Sequence, residues 1–182
     1  QGLWESPIVV NSLIAGFCEY PIWPDAWPIK VIALKDGSYA LVFHGYNLTS
    51  TKHDRDIFIM FSNDTMKWSP PFAITIASTN EYYPSIIQMV DESLIVAYQM
   101  TESIWIGRDL WGRDLYTYRY NICTIVSTNR GISWGKMQVL KTGTSTVTPR
   151  CPTVARLNND GFIYAYVSYS STTRDYSIYA GI

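Results

Sequence analysis

Arginine is the residue through which this sequence can do chemistry. Arg55, Arg113 and Arg174 each stand directly before an aspartate (Asp56, Asp114, Asp175), and Arg150 lies between Pro149 and Cys151. A guanidinium presents a planar fork of donors that grips a carboxylate through two parallel hydrogen bonds. Arginines converging on one surface would therefore hold an acidic ligand. The run Glu81-Tyr82-Tyr83 sets a carboxylate beside two phenols, and Trp105 and Trp111 bracket a further pair, Arg108-Asp109. Flat aromatic faces bury large areas and stack on the apolar faces of sugar rings. The chemistry on offer is a grip on carboxylates beside aromatic faces that suit sugar or protein binding. The Arg-Asp pairs carry a structural reading too, because a pair returning at the same place in every repeat suits a salt bridge between neighbouring repeats. His44 and His53 lack a third partner of metal-ligand type, so neither a metal nor a cofactor is expected.

Such groups need a rigid frame, and the sequence supplies one by repetition. Residues 27–46, 83–100 and 151–169 each read as a Pro, an apolar strand, a short polar turn and a second apolar strand. The turns are Lys35-Asp36-Gly37, Asp91-Glu92-Ser93 and Asn158-Asn159-Asp160-Gly161. Asp-Gly between two apolar runs is a hairpin signal. A polar loop follows each hairpin, then the Arg-Asp pair opens a third strand. The longest of these loops, 99–114, is the place most suited to a ligand. Two of the third strands run into a Ser-x-Asx turn closed by Trp: Ser62, Asp64 and Trp68 in one copy, Ser127, Asn129, Gly131 and Trp134 in the other. Fourth strands are expected over 68–77 and 134–142. Four antiparallel strands at a period of roughly sixty residues make the blade of a β-propeller.

The expected fold class is therefore all-β, a propeller of four-stranded antiparallel blades, with about three blades in a single domain over 1–182. The blades span 28–81, 82–148 and 149–182. The third lacks its fourth strand, and residues 2–10, aligned with the other copies through Trp4, read as that outer strand. Three blades are too few to close a ring, so a second chain or further sequence is expected to complete it. Strand direction puts the hairpin turns and the Ser-x-Asx turns on one rim. The opposite rim collects Glu19, Asp25, Trp27, His44, Arg55, Glu81, Tyr82, Tyr83, Trp105, Trp111, Arg113 and Arg150.

The bulk numbers narrow the partners. Of 182 residues, 47% are hydrophobic and 15% aromatic, enough for a buried core. Charged residues make up only 16% and the formal net charge is −1. With no basic excess to neutralise phosphates, nucleic acid is not an expected partner. No apolar run is long enough to span a membrane as a helix. Cys18, Cys123 and Cys151 match no zinc spacing, and allow either one disulfide or buried thiols. Asn47-Leu48-Thr49 and Asn63-Asp64-Thr65 fit the glycosylation triplet. The chain opens at Gln1, as a processed or excised product would. Secretion or display at the cell surface is the expectation.

The pattern Ser-x-Asp-x-Gly-x-x-Trp resembles the Asp-box, or BNR repeat, of sialidases and related six-bladed propellers. The first copy keeps Ser62, Asp64 and Trp68 but has Met66 where Gly is usual; the second keeps Gly131 but replaces Asp with Asn129. The resemblance covers nearly the whole chain. It implies that these turns are structural, with the Asx side chain taking backbone N–H groups and Trp packing beneath, on the face away from the active site. It also implies a site of three arginines for a ligand carboxylate, a Tyr–Glu pair as nucleophile and base, and an Asp as acid/base. On this sequence Tyr82, Glu81 and Asp25 stand as catalytic candidates, Arg55, Arg113 and Arg150 as the clamp, and Trp105, Trp111 and Tyr83 as further ligand contacts. No Arg-Ile-Pro motif lies near the start, where Tyr20-Pro21-Ile22-Trp23-Pro24 stands instead. Three functional classes follow: a sialidase-like glycoside hydrolase acting on the ends of glycans, a non-catalytic glycan-binding propeller, and an extracellular assembly or adhesion protein in which the split blade joins subunits.

Overall fold

The computed structural model describes residues 29–46 and 54–182. Trp4, Glu19, Asp25, Trp27, His53 and the expected outer strand 2–10 lie outside the described residues. Eleven strands and no helix occur among those described: β1 (Lys30–Ala33), β2 (Tyr39–Tyr46), β3 (Arg55–Ser62), β4 (Phe72–Ala73), β5 (Asn80–Gln88), β6 (Leu94–Arg108), β7 (Asp114–Ser127), β8 (Gln138–Thr142), β9 (Val147–Arg156), β10 (Phe162–Ser170) and β11 (Asp175–Gly181). They form three antiparallel sheets, ordered β1-β2-β3-β4, β5-β6-β7-β8 and β9-β10-β11. Each sheet pairs strands in the order in which the chain makes them.

Turn chemistry fixes these pairings. In the β1–β2 turn Asp36 Oδ1 accepts the backbone N–H of Ser38 at 3.0 Å and its hydroxyl at 2.6 Å. Gly37 there has φ +86°, a left-handed conformation that costs glycine nothing. The β5–β6 turn repeats the device, with Asp91 accepting from Ser93 at 3.0 and 2.6 Å.

Alternation along the strands then sorts the core. Ala40 and Val42 on β2, with Ile57 and Ile59 on β3, face the second sheet and meet Ile86, Leu94, Val96, Tyr98 and Cys123. Leu41, Phe43, Phe58 and Met60 face the other way and pack with Trp68. The first sheet is thus apolar on both faces, the pattern of a sheet stacked on both sides. The third sheet joins the second through the Val154 amide, which donates to Ser85 Oγ at 3.3 Å.

Two expectations need correction. The first fourth strand is only two residues long, Phe72–Ala73, not 68–77. Pro70 and Pro71 carry no N–H and cannot join a ladder. The expected loop 99–114 is not a loop: β6 continues for 15 residues to Arg108 and β7 starts at Asp114. Both strands are rich in aromatic and β-branched residues, which favour pairing. The result is a projecting β-arm whose residues beyond Thr101 are partly or fully exposed.

Candidate functional site

The site lies where β5, β6 and β7 of the second sheet meet β9 of the third. A β-bulge in β5 falls between Tyr82 and Ser85, and Tyr83 within it has φ +54°. A matching irregularity lies where β9 pairs with β10, and Cys151 there has φ +50°. Pro84 and Pro152 follow these two residues. Bulges bend a strand and re-aim its side chains, and left-handed non-glycine residues concentrate at working sites. The residues just before them, Tyr82 and Arg150, both line one cleft.

That cleft has a volume of ≈ 410 Å³, and Asn80, Tyr82, Tyr83, Gln99, Thr101, Tyr118, Tyr120 and Arg150 form its walls. Its lining is phenols, amides and a hydroxyl, with one guanidinium and no carboxylate among the described residues. The Arg150 guanidinium lies over the Tyr120 ring, 5.2 Å from its centroid. Arg55 enters from the first sheet. Its Nη1 donates to the Tyr82 hydroxyl at 2.9 Å, and its guanidinium lies 4.4 Å from the Tyr46 ring centre and 5.2 Å from that of Tyr82. His44 supports the two tyrosines from behind, with ring centres 5.5 Å from Tyr82 and 5.7 Å from Tyr83. The Tyr83 amide donates to His44 Nδ1 at 3.4 Å. Burial, and secondly the Arg55 charge, push the imidazole down to about 4. His44 is therefore neutral at physiological pH, as an acceptor must be.

Glu81 does not face this cleft. It pairs across the ladder with Met100, whereas Tyr82 pairs with Gln99, so neighbouring side chains leave β5 on opposite faces. Glu81 is buried against the first sheet, where the hydroxyls of Thr79 and Thr75 donate to it. Burial, reinforced by the nearby Asp56 carboxylate, pushes its carboxyl up to about 8. The structure therefore separates the side chains of Glu81 and Tyr82. Asp25 lies outside the described residues.

Arg113, Trp105 and Trp111 sit on the β-arm, away from Arg150. From Thr101 at the cleft to Arg108 at the arm's end is seven residues, about 23 Å at the usual strand rise. There Arg113 Nε pairs with Asp109 at 2.6 Å, and Arg108 Nε with Asp114 at 2.8 Å. The ion pairs of Arg113 and Asp114 thus lie within the arm, where a bridge between blades was expected. The Arg-Asp pattern also recurs without a common role: Arg55 serves the cleft, and Arg174 takes a left-handed backbone, φ +61°, beside an exposed strand. No group of three or more metal-ligating side chains occurs among the described residues.

The Ser-x-Asx turns stand at the far end of the strands. Arg55 begins β3 and Ser62 ends it. Asp64 Oδ1 accepts the backbone amides of Met66 and Lys67 at 2.9 and 2.8 Å, and Trp68 Nε1 donates to the Thr65 carbonyl at 3.0 Å. In the second copy Asn129 Oδ1 accepts the Ser133 amide at 2.9 Å and Ser127 Oγ accepts that of Gly131 at 2.8 Å. Trp134 packs on the core between the first two sheets.

Among solved structures the chain resembles the Hadza microbial sialidase Hz136, at 10% identity and a TM-score of 0.59 over 84% of this chain and 34% of that one. It also resembles the NanB sialidase of Streptococcus pneumoniae, at 9% identity and a TM-score of 0.53 over 85% of this chain and 44% of that one. The chain spans less than half the length of these sialidases. No protein-family model and no curated protein matches it. The likeness is one of fold: the three sheets are arranged as in part of a sialidase.

Proposed function

We propose that this chain belongs to a carbohydrate-active protein whose sialidase-like sheets hold an acidic sugar, such as sialic acid, in the cleft at Arg150. One observation supports this reading above the rest. Arg150 and Arg55 flank Tyr82 and Tyr83 at a cleft that no described carboxylate lines. A cation in such a setting attracts a carboxylate, and Tyr rings and amides meet the apolar and hydroxyl faces of a sugar. Glycans reach such a protein at the cell surface or outside the cell, which is the location proposed for it.

The test compares an acidic sugar with its neutral isostere by calorimetry. Arg150→Ala should weaken binding of free sialic acid by about 1.5–3 kcal/mol, the range for a hydrogen bond to a charged group, and leave a neutral sugar nearly unaffected. Equal loss for both sugars would defeat the carboxylate grip.

Hydrolysis is the finer reading. A retaining sialidase needs a base beside its nucleophilic tyrosine, and Glu81 is turned away from Tyr82. That observation favours binding without catalysis by the described residues. Release of the fluorophore from a sialoside substrate, abolished by Tyr82→Phe, would establish catalysis. Binding with no release would establish a lectin-like protein.

A further inference from the structure

The cleft does not end at Tyr118. Residues 99, 101, 103 and 105 of β6 share one face, and their partners on β7 include Tyr120, Tyr118 and Tyr116, opposite Thr101, Ser103 and Trp105. The cleft face therefore continues along the arm as a row of rings: Tyr120, Tyr118, Tyr116 and, across the ladder, Trp105. Same-face neighbours on a strand stand about 6.6 Å apart, twice the usual rise, which is roughly one sugar unit. The opposite face of the arm differs: Glu102 there is ion-paired with Arg119 at 2.8 Å, and Ile104 lies beside Thr117.

We propose that this row is a platform for the further sugar units of a glycan chain whose acidic end occupies the cleft. The proposal rests on the acidic-sugar reading of the cleft and extends it from a single sugar to a chain. Three observations fix the occupant as glycan. The rings are exposed, Tyr118 by 54%, Tyr116 by 51% and Trp105 by 56%, so about half of each stands open to a ligand. They are tyrosines and a tryptophan interleaved with Ser103 and Thr101, apolar faces with polar handles that match the apolar and hydroxyl faces of a sugar. The direction of the Trp105 ring is also set before binding. Trp105 Nε1 donates to Asp114 Oδ1 at 3.1 Å, and Arg108 holds the same oxygen at 2.8 Å. A ring already fixed loses little freedom when a ligand arrives.

The experiment measures binding of sialyl oligosaccharides of one, three and five units, all with the same acidic end, to the full chain by calorimetry. In the wild type, affinity should rise roughly tenfold or more from one unit to five. In the double variant Trp105→Ala/Tyr116→Ala that gain should vanish while affinity for the single unit stays the same. Trp105→Phe/Tyr116→Phe, which keeps the rings and tolerates any folding defect of the alanine pair, should retain most of the gain. Thr117→Ala, on the opposite face, should change nothing. Equal wild-type affinity for one and five units would overturn the platform and leave the cleft reading intact. Failure of the single unit to bind the wild type would overturn both. A dimer in sedimentation that the alanine pair dissociates would assign the rings to a second copy of the chain and overturn the proposal.

Discussion

Glu81 lies on the strand that carries Tyr82 and Tyr83, His44 packs against those two tyrosines, and both are neutral where water would charge them. The signs of their effects on stability differ. An unfolded Glu81 ionises near 4.5, while the folded residue keeps its proton to about 8. Between those values the unfolded chain binds fewer protons, so stability falls as pH rises. An unfolded His44 protonates near 6.5, while the folded residue stays neutral down to about 4. Below 6.5 the unfolded chain binds more protons, so stability falls as pH falls. The two slopes oppose each other between 4.5 and 6.5, and above 6.5 the Glu81 slope remains alone. Melting temperature should therefore decline from pH 6.5 to 8 in the wild type, and Glu81→Gln should flatten that decline. An unchanged slope in the variant would show that the proton on Glu81 has been misassigned. The placement of Tyr82, Tyr83 and Arg150 on one rim was legible in the sequence, because turn residues fix where each strand starts. The separation of Glu81 from Tyr82 follows from strand alternation and was equally legible once 80–88 is taken as one strand. His44 as a support for two tyrosines was not legible, since it depends on how two sheets face each other.

At the scale of the element, the Ser-x-Asx turns and the arm show what patterns can and cannot say. The spacing Ser62, Asp64, Trp68 announces a turn closed by side chains, and the geometry has Asp64 holding two amides. Asp64→Ala should lower the melting temperature and leave sugar affinity unchanged, because Asp64 lies just past the end of β3 while Arg55, which reaches the cleft, begins that strand. Loss of binding at unchanged melting would reverse that assignment of ends. The second turn offers a sharper test. Gly131 has φ +86°, and a Cβ there would meet the Phe61 ring of the first sheet at 2.5 Å. Gly131→Ala should cost about 1–3 kcal/mol of stability in denaturant unfolding, the usual range for a non-glycine residue forced left-handed. The arm was missed for a physical reason. Polar and charged residues between Thr101 and Asp114 read as loop when strands are sought by their buried apolar runs, and this stretch pairs without being buried.

At the scale of the molecule, the three sheets were legible from the repeats, while the length of each outer strand was not, because Pro70 and Pro71 cut the first one short. The third sheet has three strands among the described residues, and its edge strand β11 shows Tyr176 and Ile178 to solvent, exposed by 71% and 80%. Exposed apolar edges invite pairing with another strand. Residues 2–10, outside the described residues, are proposed to pair with this strand of a neighbouring chain, or with a further part of a longer protein. Deleting residues 1–10 should then cause dissociation or precipitation, read by sedimentation. A soluble particle of unchanged association would refute that role. The strict sequence order of strands within each sheet has a consequence for synthesis. Every strand pairs with its neighbour in sequence, so no sheet waits for a strand made much later. A ribosome adds roughly 5–20 residues per second, slow beside hairpin closure at about 1–10 μs. Each blade should thus be paired soon after it emerges, and the first, apolar on both faces, waits for the second as its template.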